Sequence, residues 1–419
     1  MERSNRRRTG LGLFVLALVV RLALLPWARS IGLAGDEEYY WRTVAQNVAQ
    51  GQLFTMDHQL RPPLWGYLLA LPAFFSADPF FGRAFDCLVG ALTAPFVFLT
   101  AEAVFDRRTA VAAGLIYALY PEHVFFSQYL FAEPCFSLLT VIAAWLYFKG
   151  LRNGEPRAVD RAFIVGGIAL LAKEFALISF ASMLLLLPRE GSRARIRSWT
   201  KKSVYFFLPM TVYCLVSWHR TGEFVLLSKA PIANLRKSIG LSWDADAGVG
   251  SLEEFFVRYS RMSPAAHAAN SALQTERLWS PNSYPAVRLL GGGPKEFTQD
   301  WEHRIPHAGL LAILVGAAHV ILVILGLSGM IYGPEGRFKE FAVANLAMLT
   351  LCGTLAMMVS RFRVPFLYLL VISAAYAIVH RGRIRAKMGD RKASLLFLAS
   401  VALFVAVTIH RWTRFGRWG

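Results

Sequence analysis

Long apolar stretches alternate with short polar segments along the whole chain. A helix needs about 20 apolar residues to cross about 30 Å of hydrocarbon, so runs near this length indicate transmembrane helices. The pattern therefore predicts an all-α polytopic membrane protein with about 11 transmembrane helices. The predicted spans are 11–27, 80–105, 109–126, 132–148, 161–172, 175–187, 203–218, 307–332, 339–358, 364–379 and 393–409.

Two segments between the apolar runs, 28–79 and 219–306, are too long and too polar to be turns. The first contains a predicted surface helix over residues 36–50, ended by Gly51, and a semi-apolar stretch over residues 64–75 that is too short to span. We expect both to be interfacial helices. The second segment is rich in Trp, Tyr, Pro and Gly, which favours an interfacial lid.

These patterns divide the chain into three parts. We predict a catalytic membrane core with the first outer loop at 28–79, then an outer-face loop or lid, and then C-terminal transmembrane helices. The predicted bounds are 1–218, 219–306 and 307–419.

Basic residues predict the orientation of the helices in the membrane. Lys and Arg accumulate in short cytoplasmic loops, and here they cluster before the first apolar run and in loops such as 189–202 and 381–392. The first run has no small-residue cleavage site, so we interpret it as a retained helix rather than a signal peptide. We expect a cytoplasmic N-terminus, with both long segments facing outward.

The composition of the chain excludes several classes of protein. Of the 419 residues, 55% are hydrophobic and 17% charged, and the mean hydropathy is +0.42, which excludes a soluble enzyme and a disordered chain. The net charge of +18 would suggest nucleic-acid binding in a soluble protein, but the basic runs here follow membrane topology, so we expect no nucleic-acid partner. The four cysteines fall inside apolar segments and are interpreted as core residues.

Acidic residues at the predicted outer boundary are the first candidates for chemistry. Asp36 and Glu37 follow the first span, and Glu133 begins the fourth, before Pro134. Ionisable groups at helix ends within a membrane bundle are functional candidates. The structural alternative is that each acid stabilises a helix N-terminus.

Basic residues at the same boundary depart from the positive-inside trend. They are Arg61, Lys173, Arg361 and Arg363. A guanidinium fork suits a phosphate or pyrophosphate group, so these residues are candidates for binding an anionic substrate. The alternative is that they pair with phosphates of outer-leaflet lipids.

A series of short motifs gives the chain a family resemblance. In order they are Asp-Glu-x-Tyr-Tyr at residue 36, Arg-Pro-Pro-Leu at 61, Leu-Phe-Ala-Glu-Pro at 130, Ala-Lys-Glu at 172 and Arg-Phe-Arg-Val-Pro-Phe at 361. The series resembles the polyprenyl-phosphate-sugar-dependent glycosyltransferases of the GT-C superfamily, closest to the protein O-mannosyltransferase and lipid A aminoarabinose transferase branch. This resemblance implies a GT-C-like bundle with interfacial helices in the first outer loop. From this sequence we expect no large soluble C-terminal domain of the kind that some members carry.

The resemblance also implies roles for the candidates. Asp36 matches the catalytic aspartate, with Glu37 beside it, Glu133 matches the second acidic position, and Arg61 matches a residue that is usually lysine. The chemistry agrees, because a lipid-linked sugar phosphate needs cations for its phosphate and a carboxylate to accept the acceptor's proton. We predict that Asp36 is the general base and that Glu37 and Glu133 position the acceptor or a metal. The residues predicted to bind the phosphate are Arg61, Lys173, Arg361 and Arg363.

The predicted function is transfer of a hexosyl or pentosyl group from a polyprenyl-phosphate donor to a hydroxyl of a protein, lipid or glycan, with inversion. The predicted location is the outer face of the inner (plasma) membrane. No cofactor is certain: His303 and His307 have helical spacing, but Pro306 lies between them, and a divalent metal held by the acids stays open. The competing hypothesis is a transporter or flippase of a lipid-linked or anionic solute, although matching half-repeats are not visible.

Overall fold

A computed structural model describes the chain except residues 1, 31, 34–35, 56–58, 189–190, 242–248, 282–308 and 416–419. The described part is helical and contains no strand. The helices are α1 (Glu2–Ser30), α2 (Asp36–Ala49), α3 (Leu64–Ala73), α4 (Pro79–Val104), α5 (Arg107–Leu119), α6 (Pro121–Phe126), α7 (Glu133–Asn153), α8 (Pro156–Leu170), α9 (Ala176–Leu185), α10 (Ser192–Thr221), α11 (Ala230–Ser238), α12 (Val249–Ser260), α13 (Pro264–Trp279), α14 (Gly309–Tyr332), α15 (Arg337–Cys352), a 3₁₀ helix (Ser360–Phe366), α16 (Leu367–Val379), α17 (Arg381–Lys387) and α18 (Arg391–Phe415).

The prediction of an all-α polytopic membrane protein is confirmed, but the count of eleven spans is not. Among the described residues, six helices are long and apolar enough to cross a membrane. Of the remaining predicted spans, most form helices of only 10 to 16 residues, and α10 is long but basic in its first half. The six spans are Ser4–Ser30, Pro79–Val104, Glu133–Asn153, Leu314–Tyr332, Ser360–Val379 and Arg391–Ile409.

The two helices predicted in the first outer loop are present as α2 and α3. Gly51 follows α2 with a φ of 80°, a left-handed conformation that glycine adopts without steric cost. Pro62 and Pro63 precede α3, where their fixed φ angles restrict the direction of the chain. The two helices pack against each other, and α3 also contacts α4.

The centre of the bundle is formed by α4 and α7. Helix α4 packs against α1, α5 and α7, helix α7 packs against α8, and α16 packs against α14 and α5. Small residues allow close approach where these helices cross, as is common in membranes. A Cβ on Gly329 of α14 would lie 1.9 Å from the carbonyl oxygen of Ser373 in α16, so no larger residue fits there.

Several chain segments meet at one end of this bundle. The backbone N–H of Leu64, at the start of α3, donates to the carbonyl of Leu171 after α8, at 2.9 Å. The backbone N–H of Met357, just before the 3₁₀ helix, donates to the carbonyl of Asn234 in α11, at 3.1 Å. These bonds hold the loop before α3, the turn after α8, α11 and the 3₁₀ helix side by side.

Candidate active site

A small cavity of about 30 Å³ opens where these segments meet. Helix ends and turns supply its wall, so its polar side chains come from distant parts of the sequence. The lining residues are Trp41, Arg61, Pro62, Ala132, Glu133, Ala172, Lys173, Glu174, Ala230, Asn234, Arg361 and Phe362. Four of the predicted site residues, Arg61, Glu133, Lys173 and Arg361, are therefore brought together.

Glu133 is the ionic centre of the cavity. It is the first residue of α7 and is only 1% exposed. Its Oε1 accepts from Nζ of Lys173 in a buried ion pair and lies 3.9 Å from Nε of Arg361. The positive end of the α7 dipole adds to this stabilisation of the carboxylate. Glu133 thus serves as a shared counter-ion for two cations.

Aromatic rings hold the same two cations in place. Nζ of Lys173 lies 5.0 Å from the ring centroid of Phe362, and Cζ of Arg361 lies 5.3 Å from that centroid and 5.7 Å from the centroid of Phe131. Cations within about 6 Å of an aromatic ring face are attracted by its quadrupole. The side chains of Lys173 and Arg361 are therefore fixed by both a carboxylate and aromatic rings.

Arg61 reaches the cavity from the loop between α2 and α3. Pro62 and Pro63 follow it, and the Leu64–Leu171 hydrogen bond ties this loop to the turn that carries Lys173. This arrangement restricts the position of the Arg61 backbone relative to Lys173.

Asp36 and Glu37 are the first two residues of α2, but their side chains lie outside the described residues. Helix α2 does reach the cavity, because Trp41 forms part of its wall. The next acid, Glu38, is buried, and its Oε1 accepts from Nη2 of Arg83 in α4 at 2.8 Å. This pair anchors the first turn of α2 to α4.

The structure places Arg363 away from the cavity. The side chain is fully buried, and its Nη2 donates to Oε1 of Glu122 at 3.0 Å. Its Nη1 donates to the carbonyls of Leu278 at 2.8 Å and Ser280 at 2.5 Å. Arg363 therefore fastens the end of α13 to the bundle, and we leave it out of the phosphate-binding group.

Known proteins resemble this chain in part of its sequence and in its fold. A family model described as "Dolichyl-phosphate-mannose-protein mannosyltransferase" matches residues 60–221. No curated protein matches the sequence. The apo crystal structure of the oligosaccharyltransferase from Archaeoglobus fulgidus is similar over 96% of this chain, with a TM-score of 0.52 and 15% identity. The fold is that of a GT-C-like bundle.

The predicted GT-C-like bundle is thus confirmed, although at this identity the likeness shows the fold alone. The chain spans 55% of the length of the Archaeoglobus protein. A structure of ArnT from Cupriavidus metallidurans bound to undecaprenyl phosphate is also similar, with 15% identity, a TM-score of 0.43, and coverage of 91% of this chain and 79% of that one. The family match includes three of the predicted site residues that line the cavity, Arg61, Glu133 and Lys173.

Some lining residues of the cavity have no predicted role. Trp41, Glu174 and Asn234 belong to α2, the turn after α8, and α11. Glu174 was recognisable as part of a charged pair between two apolar runs, but the sequence does not show that it and Lys173 reach one cavity. Asn234 carries no signal of its own, because it lies in the long polar segment after α10.

No group of three His, Cys, Asp or Glu side chains that could hold a metal ion occurs in the described part of the chain. His303 and His307 lie outside the described residues, and so do the carboxylates of Asp36 and Glu37. The divalent ion considered from the sequence stays a prediction.

Proposed function

We propose that this protein is a membrane glycosyltransferase that moves a sugar from a polyprenyl-phosphate donor to an acceptor hydroxyl. One observation carries the proposal: Arg61, Lys173 and Arg361 line a single cavity with Glu133 at one end of a GT-C-like bundle. The match to a dolichyl-phosphate-mannose-dependent family, which includes three of these four residues, supports the class of donor.

The three cations suit the leaving group. When the bond between the sugar and the phosphate breaks, negative charge grows on the phosphate oxygens, and cations fixed in advance stabilise that charge without reorganising. Arg61 and Arg361 can each offer two parallel N–H donors to a phosphate, whereas Lys173 acts as a point charge. The apolar polyprenyl tail would lie against the membrane-facing helices.

Asp36 is our candidate for the general base, with Glu37 beside it. Asp36 starts the helix that contributes Trp41 to the cavity wall, which supports a position near the reacting atoms. It would accept the proton of the acceptor hydroxyl as that oxygen attacks the anomeric carbon. A single displacement of this kind inverts the anomeric configuration.

Glu133 takes a narrower role in this proposal than the sequence alone suggests. Its ion pair with Lys173 and its proximity to Arg361 support a positioning role, in which it aligns the cations that receive the phosphate.

We assign the cavity to the outer face of the plasma membrane, with the N-terminus in the cytoplasm, on the distribution of basic loops. The acceptor can be a protein, a lipid or a glycan.

The test is to reconstitute the purified protein in liposomes with synthetic polyprenyl-phosphate sugars and candidate acceptors, and to measure release of polyprenyl phosphate. Asp36→Asn should stay folded and lose about 10² to 10⁴ in rate, as expected for removal of a general base. Arg61→Lys should keep partial activity because the charge survives, whereas Arg61→Ala should lose most of it.

Glu253→Gln, an exposed site on α12 outside the cavity, is the matched control and should behave as the wild type. Movement of the intact donor across the bilayer without release of polyprenyl phosphate would instead identify a flippase. Wild-type turnover by Asp36→Asn would remove Asp36 from the reaction.

A further inference from the structure

Among the residues that the structure describes, two carboxylates line the cavity, and they differ in their surroundings. Glu133 is buried, paired with Lys173 and close to Arg361. Glu174 is half-buried, and its carboxylate makes no hydrogen bond or ion pair with any residue that the structure describes. Its chain neighbour Lys173 pairs with Glu133 rather than with Glu174. The Glu174 carboxylate is therefore available to a ligand.

A phosphate is the wrong ligand for this carboxylate. Two negative charges a few ångströms apart repel each other, so Glu174 lowers the affinity of the cavity for the phosphate that Arg61, Lys173 and Arg361 attract. A cavity that bound phosphate alone would gain nothing from Glu174. The group that meets Glu174 should instead donate hydrogen bonds or carry a positive charge.

Two further lining residues indicate what that group is. Trp41, which is almost fully buried, contributes an aromatic ring to the cavity wall, and Asn234 contributes an amide that can both donate and accept hydrogen bonds. A carboxylate, an amide and an aromatic ring together complement a sugar, which has hydroxyl donors around an apolar ring face. The same set does not complement a polyprenyl chain or a phosphate.

We propose that Glu174, with Trp41 and Asn234, forms the subsite for the transferred sugar. This inference rests on the function proposed above and specifies which part of the donor each side of the cavity contacts. The Glu174 carboxylate accepts hydrogen bonds from hydroxyl or ammonium groups of the sugar. It excludes uronic acids, whose carboxylate would face that of Glu174, so the subsite selects neutral or amino sugars.

The test separates recognition of the sugar from recognition of the phosphate. Polyprenyl phosphates carrying mannose, an aminopentose or glucuronic acid serve as donors, and polyprenyl phosphate without a sugar serves as a competitive inhibitor. Glu174→Ala should lower kcat/KM for the best donor roughly 10- to 100-fold, as expected for a lost hydrogen bond to a charged group. The inhibition constant of sugar-free polyprenyl phosphate should not rise.

Three further variants make this result specific. Arg61→Ala should raise the inhibition constant of sugar-free polyprenyl phosphate, which Glu174→Ala does not. Glu253→Ala removes an exposed carboxylate outside the cavity and should change neither quantity. Glu174→Gln keeps the shape, so it should retain more activity with mannose than Glu174→Ala and should tolerate glucuronic acid better than the wild type.

The proposal is overturned if folded Glu174→Ala keeps wild-type kcat/KM, if donor and sugar-free lipid weaken equally, or if the wild type uses glucuronic acid as well as mannose. If the wild type turns over none of the donors, the proposed function fails instead. In that case, competition with a fluorescent polyprenyl phosphate measures whether the sugar adds affinity and whether Glu174→Ala removes it.

Discussion

Replacing Glu133 with glutamine tests the shared counter-ion directly. The substitution keeps the shape of the side chain and removes its charge, leaving Lys173 and Arg361 side by side. At the 3.9 Å that separates Nε of Arg361 from Oε1, a Coulomb attraction is worth about 4 kcal/mol at an effective dielectric constant near 20, before desolvation is subtracted. Because Glu133 is almost fully buried, we expect Glu133→Gln to destabilise the protein by about 3 to 5 kcal/mol.

The assay is unfolding in a mild detergent, followed for Glu133→Gln, Lys173→Met and the double variant. The double variant should be more stable than Glu133→Gln alone, because it also removes one of the uncompensated cations. Polyprenyl phosphate should stabilise Glu133→Gln more than the wild type, since its phosphate replaces the missing negative charge.

Either of two results would refute this reasoning. One is a Glu133→Gln variant that unfolds like the wild type, which would mean that the ion pair contributes nothing. The other is strict additivity of the two single substitutions, which would mean that Glu133 and Lys173 do not interact.

The remaining predictions concern the bundle and its orientation. Arg363→Met should destabilise the protein by about 3 to 5 kcal/mol, because it removes the arginine that pairs with the buried Glu122, while turnover per folded molecule survives; a large loss of turnover in folded protein would return Arg363 to the site. Single cysteines at Ser192 and Ser260 should be labelled from opposite sides of the membrane; labelling of both from one side would contradict the proposed topology.

The sequence predicts where helices occur better than where they begin and end. The predicted span at 109–126 is two helices, because Pro121 has no N–H to continue α5 and starts α6 instead. The predicted span at 203–218 lies inside the much longer α10, because apolar composition marks a membrane-crossing stretch and not the end of a helix. Polar residues extend α10 by a further three turns before the apolar run.

The residues of the cavity could also be predicted only in part from the sequence. Motif order predicted that Arg61, Glu133 and Lys173 act together, and the structure brings them into one cavity. It also predicted one role for Arg361 and Arg363, but they occupy a 3₁₀ helix, where residues two apart point about 240° from each other. One arginine therefore reaches the cavity and the other the buried Glu122. The sequence Arg-Phe-Arg does not distinguish them, because the 3₁₀ geometry is set by tertiary contacts.

The origin of Arg361 has a consequence for biosynthesis. Arg61, Glu133 and Lys173 emerge early from the ribosome, whereas Arg361 and its ring partner Phe362 follow roughly 190 residues after Lys173, at the start of a membrane-crossing segment. Until that segment inserts, Glu133 has Lys173 as its cationic neighbour and the cavity lacks one wall. A nascent chain that stops before Ser360 should therefore hold its early helices together without a finished binding cavity, so donor binding should begin only when synthesis is nearly complete.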